Sequence, residues 1–60
     1  MTKQMRVLLD FITDKPKSLD EIIAETGLDQ VVVVSLLCQL DMQNRIVRLP
    51  EGMYKLKHFV

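Results

Sequence analysis

Residues 18–44 contain two helix beginnings separated by one glycine, and this spacing constrains the fold of the chain more than any other feature. Ser18 and Glu21 form an S-x-x-E capping box, in which each side chain accepts a hydrogen bond from the other residue's backbone N–H. Gly27 supplies the left-handed residue that ends this helix. Asp29 is a natural N-cap for the next helix. The pattern predicts a helix-turn-helix.

The same segment contains no Lys or Arg. It carries five acidic residues, which are Asp20, Glu21, Glu25, Asp29 and Asp41. The affinity of proteins for DNA comes largely from cations that meet phosphates. Residues 1–17 carry a net charge of +2 and residues 45–60 carry +3, whereas residues 18–44 carry −5. The helix-turn-helix pattern therefore indicates nucleic-acid binding, whereas the negative charge of residues 18–44 disfavours it.

Four consecutive valines, residues 31–34, leave a strand as an alternative for the third helix, because valine prefers strands. We favour the helix because its apolar residues recur at i, i+3, i+4 and i+7, and these are Val33, Leu36, Leu37 and Leu40. The run that follows Asp29 is also too long for a typical strand.

The ends of the chain complete the predicted fold. A first helix has its own apolar stripe, consisting of Met5, Leu8, Leu9 and Ile12, and we expect Pro16 to end it. Near the C-terminus, Pro50-Glu51-Gly52 connects two strands as a hairpin loop. Tyr54 and Leu56 share the strand face that covers the core, and Lys55 and Lys57 share the other. The predicted elements are helices over Lys3–Thr13, Ser18–Thr26 and Asp29–Gln43 and strands over Ile46–Leu49 and Met53–Lys57.

Three helices followed by a two-stranded β-hairpin wing make an α+β winged helix. Sixty residues allow one domain with one small core. We expect residues 1–60 to be a single winged-helix domain cut from the C-terminus of a longer protein, although an intact small protein would look similar. No apolar run is long enough to span a bilayer, and no signal-peptide pattern is present.

The residues resemble the C-terminal winged-helix domain of the DNA-processing protein A (DprA/Smf) family. The resemblance rests on L-x-E-I-x-x-x-T-G-L from Leu19 to Leu28 and on L-L-x-Q-L-D-M-x-N-x-I-V-R-L-P-x-G-x-Y from Leu36 to Tyr54. The family usually has Gly where this chain has Asn44, a mild departure because both residues adopt the left-handed conformation. The resemblance implies a cytoplasmic, bacterial accessory module of a protein that handles DNA during natural transformation. It also implies a Rossmann-like, single-strand-binding domain elsewhere in the parent protein.

The outward side of the third helix is the first candidate site. At about 100° per residue, Val33, Leu37 and Leu40 lie on one side, and the opposite side carries Val31, Val34, Ser35, Cys38 and Met42. A helix that reads bases presents Arg, Lys, Asn or Gln, whereas an exposed apolar patch indicates a protein contact. We therefore predict a partner contact at Val31, Val34, Cys38 and Met42. Ordinary core packing and base reading are the alternatives.

The second candidate site is the basic hairpin, with Arg45, Arg48, Lys55 and Lys57 as possible phosphate contacts. A solvated edge that resists aggregation is the other interpretation of these cations. The same two interpretations apply to Lys3, Arg6, Lys15 and Lys17. Any DNA binding through so few cations should be weak and sensitive to salt.

No catalytic, cofactor or metal site is predicted. Cys38 and His58 are the only cysteine and histidine, so a four-ligand structural zinc site has too few ligands. A lone thiol is compatible with a reducing cytoplasm. Asp41 near Cys38 disfavours a reactive thiolate, and the two glycines do not form a phosphate-binding loop.

The sequence thus predicts a non-enzymatic module without a small-molecule substrate or a membrane partner. Its partner would be another protein, a second copy of the chain, or the neighbouring domain of the parent protein. Weak, non-specific DNA binding through the wing is the alternative function. A module that only braces its neighbour is a third possibility.

Overall fold

A computed structural model of this chain describes residues 2–57, which form three helices and one antiparallel sheet. The helices are α1 (Lys3–Phe11), α2 (Leu19–Thr26) and α3 (Gln30–Met42). The strands are β1 (Lys17–Ser18), β2 (Ile46–Leu49) and β3 (Met53–Leu56), in the sheet order β1-β3-β2. This arrangement confirms the predicted α+β winged helix.

The beginning of α2 has the predicted capping box. The backbone N–H of Glu21 donates to Ser18 Oγ over 3.1 Å, and the backbone N–H of Ser18 donates to Glu21 Oε1 over 3.2 Å. Gly27 ends α2 in the left-handed region, with φ of 71°. Asp29 caps α3 by accepting from the backbone N–H of Val31. These local signals are sufficient to place both helices correctly.

The turn between α2 and α3 is held by the side chain of Thr26. Its hydroxyl donates to the carbonyl of Ile22 over 2.8 Å and accepts from the backbone N–H of Leu28 over 3.2 Å. Leu28 is half-buried and packs against the core. One side chain thus satisfies backbone groups on both sides of the turn and fixes the direction in which α3 leaves it.

The four valines are helical, so the strand alternative for residues 31–34 is wrong. At the other end of α3, Asn44 has φ of 61°. The N–H of Arg45 donates to the carbonyl of Leu40, and that of Asn44 donates to the carbonyl of Asp41. This pair of hydrogen bonds is a Schellman motif, with Asn44 in the left-handed position that was expected of it.

The first helix is shorter than predicted, because α1 ends at Phe11 rather than Thr13. Ile12 already has extended geometry, and the carbonyl of Thr13 accepts from the backbone N–H of Leu56 in β3 over 2.8 Å. A pairing with a distant strand therefore ends this helix, and Pro16 lies beyond the point where it ends. At the start of α1, Thr2 Oγ1 accepts from the backbone N–H of Met5.

The predicted two-stranded wing is a three-stranded sheet. Lys17 and Ser18 pair with Tyr54 and Met53 of β3, which becomes the central strand. A two-residue strand has too few positions to show alternation, so its sequence gives no strand pattern. β3 ends at Leu56, although the N–H of Lys57 still donates to the carbonyl of Arg45.

The core lies between the helices and the inner face of the sheet. Its buried residues come from both predicted helical stripes, from α2 and from β2, and they are Met5, Leu8, Ile12, Ile22, Val33, Leu36, Leu37, Leu40 and Ile46. Tyr54 and Leu56 pack against this cluster from β3, as predicted, whereas Leu9 is only half-buried. The core residues of α3 all lie on its inward side. The outward side has no role in the core and is therefore the first candidate for a functional surface.

Candidate functional site

The outward side of α3 is open to solvent. We name Val31, Val34, Cys38 and Met42 the helix face. Val31 is 75% exposed, Val34 41% and Met42 87%, and Cys38 is also exposed. Within residues 2–57 no other element buries these side chains, so their interpretation as ordinary core is wrong. An exposed apolar surface on a helix of this kind needs a partner or carries a cost in solubility.

A small groove lies between the helix face and the sheet. Its walls are Val34, Leu37, Cys38 and Asp41 of α3 and Arg48 and Tyr54 of the sheet, and its volume is about 90 Å³. Arg48 Nη1 lies 3.9 Å from Asp41 Oδ2, with the two side chains 64% and 43% exposed. Such an exposed pair contributes little to stability. It does place an acidic group beside one of the cations predicted to contact phosphate.

The basic residues of the hairpin do not form one patch. In the β2–β3 register Arg48 lies opposite Tyr54, and Val47 lies opposite Lys55. Because successive side chains of a strand point to opposite faces, Arg48 is on the inner face beside α3. Lys55 is on the outer face. A single stretch of DNA backbone therefore cannot contact Arg48 and Lys55 together.

Lys57 and Arg45 lie close to the C-terminal end of α3. Lys57 Nζ donates to Asn44 Oδ1 over 2.7 Å, which ties this ammonium group to the turn that follows the helix. Arg45 is exposed. The four predicted phosphate contacts are thus distributed over the inner face, the outer face and the end of the sheet.

Lys17 is held by the fold itself. Its ammonium group donates to the carbonyl of Phe11 over 2.7 Å and lies 2.9 Å from Glu25 Oε1, and its side chain is only 14% exposed. The carbonyl belongs to the last turn of α1 and the carboxylate to α2. Lys17 therefore links two helices and is not available to a phosphate in this arrangement.

The outer face of the sheet is a surface that the sequence-based search did not identify. We name Val47, Leu49, Met53 and Lys55 the sheet face. Val47 pairs with Lys55 and Leu49 pairs with Met53, and all four are half-buried. None of the three apolar residues packs against the core cluster. In the sequence, Val47 and Leu49 alternate with Arg48, and this alternation indicates a second apolar face of the strand. The prediction for this strand concerned only its cations and did not include that face.

Among residues 2–57 no group of three His, Cys, Asp or Glu side chains is arranged to hold a metal ion. His58 lies outside the described residues. The described helices include none that is both long and apolar enough to cross a membrane. Cys38 is exposed in the groove, which Asp41 and Arg48 also line.

Comparison with known proteins gives a family match. The family model described as the DprA winged helix domain matches residues 2–52, which is most of the chain. A search of curated proteins finds no match. The matched range includes all three helices, β2 and the turn after it, and it contains the whole helix face.

Proposed function

This chain belongs to the DprA winged helix domain family, and we propose that its third helix makes a protein contact for a DNA-processing protein. In this proposal the domain is a non-catalytic accessory module, as the family match supports. The helix face is the contact surface. Its partner is the neighbouring domain of the parent protein or a second copy of this chain, and the setting is natural transformation in bacteria.

The observation that carries the proposal is the combination of exposed apolar side chains with an absence of cations. Val31, Val34 and Met42 are exposed, and residues 18–44 contain no Lys or Arg. Duplex DNA approaching α3 would meet acidic and apolar side chains of the helix and, at its edge, Arg48, whose charge is offset by Asp41 at 3.9 Å. It would lose hydration and gain few phosphate contacts. A protein surface gains from the same apolar area.

Of the three glutamines in residues 30–43, Gln30 lies next to Val31 at the N-terminal end of the helix face, and the other two lie to one side of it. Gln39 and Gln43 lie in a wide depression beside Thr2 and Met5 of the α1 end, and Arg45 also lines it. They therefore flank the helix face on the α1 side and are absent from its centre. A helix that reads bases needs its hydrogen-bonding side chains at the centre of the face that enters the groove.

The substitution Val34→Glu tests the proposal. We expect the fold to be retained, since Val34 is 41% exposed, and partner binding to fall at least about tenfold, because a charge enters a dry contact. Pull-down and analytical ultracentrifugation with the Rossmann-like domain of the parent protein measure the binding. Ala24→Glu adds the same charge at an exposed position of α2 and is the matched control. Unchanged binding by Val34→Glu would refute the proposal.

The alternative function is phosphate binding through the wing, and the observation in its favour is the net charge of +3 over residues 45–60. It predicts that replacing Arg48 and Lys55 together by Ala weakens duplex binding at about 50 mM salt, where phosphate contacts are strongest. Because these two cations lie on opposite faces, we expect a gel-shift assay to detect little binding by the wild type. Tight wild-type binding that the double substitution abolishes would favour DNA.

A further inference from the structure

Two apolar surfaces of this domain carry opposite charge. The helix face lies within residues 18–44, where every charged side chain is acidic, and the one cation in the groove beside it, Arg48, lies 3.9 Å from Asp41. The sheet face contains the cation Lys55 and no acidic side chain. Both surfaces are partly exposed, and neither is used by the core. They have similar apolar character and complementary electrostatics.

Two copies of this chain could meet through two helix faces, through two sheet faces, or through one of each. The charges of the surfaces disfavour the first two arrangements. Two helix faces would bring Asp29 and Asp41 of one copy towards the acidic segment of the other. Two sheet faces would bring Lys55 towards Lys55. Like charges placed together across an interface are unfavourable. Only the helix face against the sheet face places apolar groups together and acids near Lys55.

The two surfaces lie on different sides of the domain. Ile46, Tyr54 and Leu56 point from the inner side of the sheet towards the helices. Val47, Leu49 and Met53 therefore point away from the helical layer, to which α3 belongs. One copy cannot satisfy its own helix face with its own sheet face. Any contact between them must join separate copies.

We propose that the helix face of one copy docks on the sheet face of a second copy, in a head-to-tail contact. This inference rests on the proposed role of the helix face in protein contact and names its partner. A head-to-tail contact leaves one free surface at each end of a pair. It therefore continues to longer assemblies or closes into a ring, whereas a symmetric contact stops at two.

The contact is small. Stable interfaces bury about 800 Å² on each partner, and four side chains on each surface provide less than that. We expect association only at high concentration, in the range of hundreds of micromolar, near the weak end of protein contacts. Tethering several copies along one nucleoprotein assembly would raise the local concentration into this range.

Mixing two variants tests the inference. Val34→Glu disables the helix face and leaves the sheet face intact, and Lys55→Glu does the reverse. Each variant alone should be monomeric in sedimentation equilibrium, with association at least about tenfold weaker than wild type. An equimolar mixture should form a dimer and no larger species, because the helix face of one variant fits the sheet face of the other. The wild type should grow beyond a dimer as its concentration rises.

Control variants distinguish the loss of a contact from unfolding of the domain. Met42→Glu is a second helix-face variant at a position 87% exposed, and it should behave as Val34→Glu does. Lys3→Glu has the same charge change as Lys55→Glu, but on α1 and away from both surfaces, and it should associate as the wild type does. Thermal unfolding followed by circular dichroism confirms that each variant is folded.

Three results would overturn the inference. They are a wild type that stays monomeric at millimolar concentration, a wild type that stops at a dimer, and a Lys55→Glu variant that associates as the wild type does. Its failure remains distinct from that of the proposed function. If the wild type is monomeric but Val34→Glu still abolishes binding to the neighbouring domain, the helix face is a protein contact with a different partner.

Discussion

Residues 18–44 and residues 45–57 both turn apolar side chains outward, yet they carry charges of −5 and +3. The first segment presents Val31, Val34 and Met42 on a helix, and the second presents Val47, Leu49 and Met53 on a sheet. In any winged helix the helix-turn-helix segment and the wing are neighbours, whatever the function of the domain. In the proposed function, the charges around an exposed surface, more than its shape, determine which partner it accepts.

The largest expected effect separates the inward side of α3 from its outward side. Leu40 is fully buried, so Leu40→Ala should lower the free energy of unfolding by about 3 kcal/mol through lost contacts and an added cavity. For a domain of this size that is a large share of a total on the order of 3–9 kcal/mol. Guanidinium denaturation measures the change.

Met42→Ala is the matched control, two residues further along the same helix and exposed. It should change the free energy of unfolding by less than about 0.5 kcal/mol. Equal midpoints for Leu40→Ala and Met42→Ala would mean that the two sides of α3 do not differ as described.

The next effect concerns Lys17, which lies just before residues 18–44 and neutralises an acid of α2. Lys17→Met removes the contacts of the ammonium group with the carbonyl of Phe11 and with Glu25. We expect a loss of about 1 kcal/mol, mostly from the carbonyl contact, because Glu25 is 41% exposed and its attraction is screened.

Lys15→Met has the same change of charge at an exposed position and serves as the comparison in thermal denaturation. We expect Lys17→Met to lower the melting temperature by several degrees more than Lys15→Met does. If Lys15→Met is equally destabilising, the link between α1 and α2 through Lys17 has no energetic value.

The smallest effect compares the two turns that flank β2. Asn44 and Glu51 both have positive φ, at 61° and 67°, but only asparagine tolerates this region well. Glu51→Asn should therefore raise the free energy of unfolding by about 0.5–1 kcal/mol. Glu51→Ala removes the same charge without relieving the backbone, so urea denaturation should show no comparable gain for it.

The helical half of the fold was predictable because its signals are local. The capping box of Ser18 and Glu21, the glycine at 27 and the cap at Asp29 act within one turn of the chain. The apolar stripe of α3 identified both its buried side and its exposed side. The helix face followed directly from that periodicity, and its exposure is confirmed.

The remainder depends on pairing between distant residues. β1 exists because Lys17 and Ser18 meet β3 some 35 residues later along the chain, and α1 ends early because Thr13 bonds to Leu56. The division of the basic residues between two sheet faces needs the register of β2 and β3. The role of Lys17 needs the approach of α1 to α2. No local pattern contains that information.

The measurement that tests the central claim most directly is an NMR titration of the ¹⁵N-labelled chain with duplex DNA at about 50 mM salt, where phosphate contacts are strongest. We predict that the amide signals of Val31, Val34, Cys38 and Met42 stay in place, and that any small shifts fall in residues 45–57. Saturable shifts centred on those four helix-face residues would contradict the claim that the third helix serves protein contact.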